Sequence, residues 1–263
     1  MPELKICLIQ SDLYWEDPLR NLDHFSEVLN RMTEPADLIL LPEMFSTGFS
    51  IHPGHAETMD GPSVQFMKAM ARTKDAVICG SLTIRENDSF YNRLICFYPD
   101  GTFLKYDKRH LFCLSDESSV FTAGSEKQIL TVKGFKILPL ICYDLRFPVW
   151  CKNRFDGQAF DYDLLLYVAN WPESRAHVWR TLLMARAIEN QAWVAGVNRI
   201  GRDGAGTNHV GESLVIDPKG RILAEAPHGE AAILTAVLPF EELEAFRRSF
   251  PAGRDWDQFT IEI

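Results

Sequence analysis

Short apolar runs alternate along this chain with stretches whose apolar residues recur every three or four positions. Leu4 to Gln10 is the first run and reads as a buried strand. Asp17-Pro18 then supplies an N-cap and a proline at the first helical position, and Leu22, Phe25, Leu29 and Met32 trace one apolar helix face. Ala36 to Leu41 is a second strand, stopped by Pro42-Glu43. Asp60-Gly61-Pro62 opens a second helix, with Val64, Met67, Met70 and Ala71 on its inner side. Ala76 to Ile84 is a strand, and Asn92 to Tyr98 and Thr102 to Tyr106 form a hairpin about Pro99-Asp100-Gly101. A polar segment, Asp107 to Gly124, precedes Gln128 to Val132. Gly134 then turns the chain into a strand, Ile137 to Ile141, that stops at Cys142.

The alternation repeats beyond Cys142. A short helix is expected around Val149 to Phe155, a strand over Asp163 to Ala169, and a long helix capped by Ser174. Val178, Leu182, Ala185 and Ile188 are its expected inner stripe. Ala192 to Val197 is a strand and Gly201 to Asn208 a loop. Gly211 to Ile216 and Arg221 to Glu225 form a hairpin. Ala231 to Leu238 is the last strand and Glu241 to Arg248 the last helix. The tail after Pro251 shows no partner. Strands this continuously apolar need cover on both faces. Two such sheets packed together, each covered outside by helices, make a four-layer α-β-β-α sandwich. Nothing resembling a linker interrupts the chain, so residues 1–263 are expected to form one domain, with a core over 4–238 and a terminal helix and tail over 239–263.

Composition narrows the function classes. The chain has 263 residues, 46% of them hydrophobic and 24% charged, as in ordinary globular proteins. A net charge of −9 argues against a nucleic-acid surface, which needs clustered cations. No run is long enough to span a membrane, and the N-terminus lacks a secretory leader. The six cysteines form no C-x-x-C pair, so a zinc site is not expected. Reduced thiols and a cytoplasmic location are the simplest expectation.

Three elements end at, or lead into, a reactive side chain. Leu38 to Pro42 leads to Glu43, the hairpin strand to Lys108, and Ile137 to Ile141 to Cys142. Strand ends gather at one rim of an α/β sheet, where ligands bind. A thiol, a carboxylate to take its proton and an ammonium to hold an oxyanion are the components of acyl transfer. The backbone N–H of Tyr143, just past the thiol, is a second oxyanion donor. Taken singly, each residue has an ordinary explanation. Cys142 could be one more buried apolar residue, and Glu43 and Lys108 surface charges. His110, His177 and His209 are available for a cysteine–histidine arrangement, but none stands in a pattern that favours it. Asp144 and Arg146 are read as a pair that holds the turn after Cys142. Trp171 is read either as a wall of the acyl pocket or as packing, and Arg186 and Glu189 as structural or interfacial.

Together three segments carry a resemblance. Leu41-Pro42-Glu43-Met44-Phe45, Lys105-Tyr106-Asp107-Lys108-Arg109-His110-Leu111-Phe112 and Leu140-Ile141-Cys142-Tyr143-Asp144-Leu145-Arg146-Phe147-Pro148 resemble, in order and spacing, the three signatures of the nitrilase (carbon–nitrogen hydrolase) superfamily. Asn170-Trp171-Pro172, Ala185-Arg186-Ala187-Ile188-Glu189-Asn190 and Gly211-Glu212-Ser213 extend the match. The resemblance implies the α-β-β-α sandwich and a Glu–Lys–Cys triad at Glu43, Lys108 and Cys142. A further glutamate is implied at Glu117, seven residues before Gly124, orienting Lys108 and the substrate.

The chain looks most like the ω-amidase branch, through Pro42 to Phe49, Arg146-Phe147-Pro148 and Val197 to Gly201. That branch hydrolyses the terminal amide of short 2-oxo dicarboxylic monoamides through a thioester, without metal or organic cofactor. The implied partners are an amide substrate, water and further copies of the chain as a homodimer or larger. Nitriles and N-carbamoyl compounds are the alternative substrates for the same triad. A silent binding protein or a redox sensor on the fold are the alternatives from other classes. Arg85, Arg146, Arg175, Arg199 and Arg202 are all available to bind a substrate carboxylate, and the sequence does not choose among them.

Overall fold

The computed structural model describes residues 2–262. Its first half runs β1 (Glu3–Gln10), α1 (Pro18–Asn30), β2 (Leu38–Leu40), α2 (Pro62–Lys74), β3 (Val77–Glu86), β4 (Ser89–Phe97), β5 (Phe103–Asp107) and the short helix α3 (Glu117–Val120). The second half runs β6 (Leu130–Val132), β7 (Phe135–Ile141), α4 (Pro148–Cys151), β8 (Leu164–Ala169), α5 (Ala176–Asn190) and β9 (Trp193–Asn198). It continues with β10 (Ile200–Arg202), β11 (Asn208–Val210), β12 (Leu214–Ile216), β13 (Ile222–Glu225), β14 (Ala232–Pro239) and α6 (Phe240–Ser249).

Two six-stranded sheets carry the fold, in the orders β14-β1-β2-β3-β4-β5 and β13-β12-β9-β8-β7-β6. Alternation along β1 explains the layering. Leu4, Ile6 and Leu8 join the core shared with the second sheet, whereas Cys7 and Ile9 pack with Phe25 and Leu29 of α1 and Val64 and Met67 of α2. On the far side Trp179 and Leu183 of α5 press on β9. A Cβ added at Gly196 would lie 2.7 Å from both, so only glycine admits the helix this closely. The result is the expected α-β-β-α sandwich.

Strand direction then positions the site. β1, β2 and β3 are parallel, and β5, two antiparallel steps from β3, runs the same way. β7, β8 and β9 are also parallel. The carboxyl ends of β2, β5, β7 and β8 lead directly to Glu43, Lys108, Cys142 and Asn170.

Four expectations need correction. The inner stripe of α5 is Trp179, Leu183, Arg186, Ala187 and Asn190, one step round from the expected one, and Ile188 is 56% exposed. Polar residues belong inside because they are satisfied there: the Arg186 guanidinium donates twice to Leu145 O, at 2.7 and 3.1 Å, and Asn190 Nδ2 to Arg186 O at 2.9 Å. Ser174 does not cap this helix; it lies in a preceding 3-10 turn, Glu173–Arg175. The C-terminal tail does have a partner. Trp256 packs on Phe160 and under Lys152, and Arg154 donates to Phe259 O at 3.2 Å. Finally, the expectation of six reduced thiols does not hold for Cys79 and Cys96: they face each other across the neighbouring strands β3 and β4, 4.2 Å apart at Cα, and form a disulfide within that sheet. Cys7, Cys113, Cys142 and Cys151 are free.

Candidate active site

Glu43, Lys108 and Cys142 come from three separate segments and meet at one rim. Lys108 Nζ donates to Glu43 Oε1 at 3.0 Å and to Glu117 Oε1 and Oε2 at 3.0 and 3.1 Å. Glu43 and Glu117 are fully buried and Lys108 is 1% exposed. Burial disfavours the ammonium, but the two carboxylates and the nearby sulfur outweigh it and hold Lys108 well above the usual lysine range. Lys108 is therefore held as the ammonium near neutral pH.

The Cys142 thiol lines the same wall as the Glu43 carboxylate and Asn170, and both groups act on its titration. Burial first, and then the Glu43 charge, push this thiol well above its ordinary range, while the Lys108 charge and the Asn170 N–H act the other way. The ammonium thus favours the thiolate without winning. The resting sulfur is protonated, so attack needs a base beside it.

The backbone prepares these positions. Cys142 sits at φ +40°, in the left-handed region that non-glycine residues rarely adopt. Met44, just after Glu43, is at φ +45° and is held by Ser81, whose Oγ accepts Met44 N–H at 2.9 Å. Such strain persists only where surrounding contacts over-determine it. At Cys142 those contacts converge on Asp144, which is fully buried. Its carboxylate accepts from Tyr106 O–H at 2.7 Å, Ile141 N–H at 3.1 Å and His110 N–H at 3.0 Å, with His110 Nδ1 at 2.8 Å. Asp144 holds the turn as expected, but not by pairing with Arg146. Arg146 lies 5.2 Å over the Trp171 ring and faces the cavity.

A cavity of about 610 Å³ opens onto Cys142, Glu43 and Lys108, a size that suits a small-molecule ligand. Trp15, Phe49, Phe112 and Trp171 contribute aromatic walls, so Trp171 both packs and lines the pocket. Arg146 and Arg175 also reach it, and Arg175 lies 5.3 Å over the Phe112 ring. Of the other arginines considered, Arg199 is buried against Asp12 at 2.7 Å and Arg202 donates to Gly206 O. Tyr143 lines the cavity, and its backbone N–H stands in the first turn of the 3-10 helix Cys142–Arg146, where amides have no intrahelical acceptor. Glu117 is not on the wall. It stands behind Lys108, fixed by Phe112 N–H, and so touches the ammonium rather than the space a ligand would fill.

None of the three histidines joins the thiol. His110 is stacked on Phe147 and bound to Asp144, and His177 is exposed. His209 lines the cavity, but burial and the charge of Arg199 bring its ring down to about 4, so it is neutral near pH 7. Sequence reasoning missed Asn92 and the scaffold role of Asn170. Asn92 Nδ2 donates to Glu43 Oε1 at 2.8 Å; Asn170 donates from its backbone to Glu43 Oε2 at 2.8 Å and from its side chain to Glu43 O at 2.6 Å. The available signal at Asn92 was a polar residue opening the apolar run Leu94 to Phe97. Among the described residues no cluster of metal-ligating side chains is present.

Sandwich, rim and thiol together are those of an amide-cleaving hydrolase, and comparison with known proteins agrees. Residues 5–248 match the carbon-nitrogen hydrolase family, and the chain belongs to it. It is 45% identical over 261 residues to omega-amidase YafV of Yersinia enterocolitica, covering 99% of this chain and 100% of that protein. It is 35% identical over 254 residues to the 2-oxoglutaramate amidase of Bacillus subtilis (strain 168), covering 95% and 96%. The crystal structure of a CN-hydrolase superfamily protein from Xanthomonas campestris, which carries an arsenic adduct in its active site, superposes with a TM-score of 0.97 at 42% identity and complete coverage of both chains. The activity is accordingly that of an amidohydrolase.

Proposed function

We propose that the substrate is a short ω-amide carrying a carboxylate, such as 2-oxoglutaramate or 2-oxosuccinamate, and that Cys142 is the nucleophile. The observation that carries this reading is the convergence of thiol, carboxylate and ammonium on one cavity that also presents two arginines. Glu43 takes the Cys142 proton as sulfur attacks the amide carbonyl. The oxyanion lies between Lys108 Nζ and Tyr143 N–H. Glu43 returns the proton to the leaving nitrogen, ammonia departs, and a thioester remains. Water, deprotonated by Glu43, then releases the acid and restores the thiol. Glu117 keeps the Lys108 ammonium aimed at the reacting carbonyl. Arg146 and Arg175, whose heads lie over ring faces rather than against carboxylates, are the candidates for binding the substrate carboxylate, and Trp171 walls its acyl portion. The names of the relatives support the same substrate class.

An ammonia-release panel over 2-oxoglutaramate, an N-carbamoyl amino acid and a nitrile tests the substrate. Preference for either of the latter two would replace this reading with another carbon–nitrogen hydrolase. Cys142→Ala tests the mechanism: no turnover is expected, and undiminished ammonia release would end it. A homodimer or larger assembly is also proposed, supported by the exposed Ile188 beside half-buried Val178 and Leu182 on α5. Sedimentation showing only species of about the chain mass, 30.0 kDa, would overturn it.

A further inference from the structure

Asn92 touches all three charged members of the site, Glu43, Lys108 and Glu117. It is fully buried in β4, and its backbone O accepts Lys108 N–H at 3.0 Å. Its side-chain Nδ2 donates to Glu43 Oε1 at 2.8 Å and more weakly to Glu117 Oε1 at 3.4 Å. Carboxylates only accept, so the amide nitrogen must be the end that faces them. The same two oxygens receive Lys108 Nζ, each at 3.0 Å. Two donors and two carboxylates therefore close a ring in which Asn92 adds hydrogen bonds without adding charge. With one ammonium between two buried carboxylates, a neutral second donor offsets their repulsion.

The ring makes the two oxygens of Glu43 unequal. Oε1 receives Lys108 and Asn92. Oε2 receives only Asn170 N–H among the described residues, at 2.8 Å, and Glu43, Asn170 and Cys142 line the same cavity wall. We infer that Asn92 is a positioning residue for the general base: it saturates Oε1, so that Oε2 is the oxygen that takes the Cys142 proton. In that step the S–H bond breaks, its proton goes to Oε2, the sulfur pair forms the bond to the amide carbon, and the carbonyl pair moves to oxygen.

This inference rests on the proposed cysteine mechanism. The groups that face Glu43 and Asn92 are Lys108 from the end of β5, Glu117 from α3 and Cys142 from the end of β7. Arg93 lies on the opposite face of β4, engaged with Asp107 and Glu86.

The test is the pH profile of kcat/KM for the parent, Asn92→Leu, Asn92→Ala and Asn92→Asp. An anion that loses a hydrogen-bond donor holds its proton more tightly, so in the Leu and Ala variants the acid limb moves up by about one to two pH units. kcat falls and KM changes little. Between two carboxylates the Asn92→Asp side chain is protonated and still donates, so this variant retains activity toward acid pH and loses it as the new carboxyl ionises. A folded Leu or Ala variant with an unmoved acid limb overturns the inference. If neither folds, an Asn92→Asp profile superimposable on the parent does so. Cys142→Ala run alongside separates the two levels: turnover there refutes the mechanism itself, whereas an inactive Cys142→Ala with unshifted Asn92 profiles refutes only the role of Asn92.

Discussion

Asp144→Asn is the sharpest perturbation available beside the thiol, because Asp144 is where a structural and a catalytic explanation diverge. One carboxylate oxygen serves the backbone and ring nitrogens of His110, and the other serves Tyr106 O–H and Ile141 N–H. Asparagine keeps one of these oxygens and replaces the other with a donor. With the amide nitrogen toward Tyr106 and Ile141, two buried donors lose their acceptor; with it toward His110, the backbone N–H loses its acceptor and the ring nitrogen must become one. A hydrogen bond to a charged group contributes about 1.5–3 kcal/mol, and a buried donor left unpaired costs a similar amount. Allowing for non-additivity in one network, the loss should be about 3–5 kcal/mol. That is a large share of the roughly 5–15 kcal/mol that holds a domain together. At about 2–4 °C per kcal/mol, the melting midpoint should fall by about 6–20 °C. Urea unfolding followed by tryptophan fluorescence, with a thermal melt, reads this directly, since Trp150 donates to the Tyr106 hydroxyl of the same network. An Asp144→Asn variant as stable as the parent but without turnover would refute the scaffold role and make Asp144 a participant in the chemistry.

Arg146→Ala and Arg175→Ala should each raise KM for a 2-oxo dicarboxylic monoamide about tenfold or more while leaving KM for a neutral short amide within about twofold; parallel Michaelis–Menten curves on the two substrates check this, and equal effects would remove carboxylate recognition from both. Stability should fall on the alkaline side. Burial pushes the thiols of Cys7 and Cys151 up to about 12 and about 11, and that of Cys142 well above its ordinary range. The unfolded chain then ionises first, so these contributions are intact below about pH 8.5 and are lost as pH rises from there toward each folded value. Urea midpoints at pH 7 and pH 10 should differ accordingly, and equal midpoints would contradict the burial of these groups.

Local physics was legible wherever neighbours in sequence decided the outcome. Asp17 accepts Arg20 N–H at 3.1 Å and Pro18 starts α1, as the residues predict. The β4–β5 hairpin forms about Asp100-Gly101, where Gly101 takes φ +87°. On α5 the apolar pattern was misleading because Val178 and Leu182 recur at helical spacing as Trp179 and Leu183 do. Only the partners of Arg186 and Asn190, Leu145 O and a neighbouring turn, select the inner face. Asp144 and Arg146 are two residues apart, yet one turns into the core and the other into the cavity, and no spacing rule anticipates that.

The sequence by itself determined the strands, the order of reactive side chains at their ends and the motifs that mark the family, because strand-forming runs and turn residues act over a few positions. The tertiary structure alone decided that a carboxylate, an ammonium and a thiol from Glu43, Lys108 and Cys142 share one pocket, that Asn92 binds both carboxylates, and which arginines see the cavity. Those outcomes depend on strand direction and on the packing of two sheets. Both bring together residues 65 and 127 positions apart, as in Glu43–Lys108 and Glu43–Asn170, through contacts that are visible only once both sheets are in place.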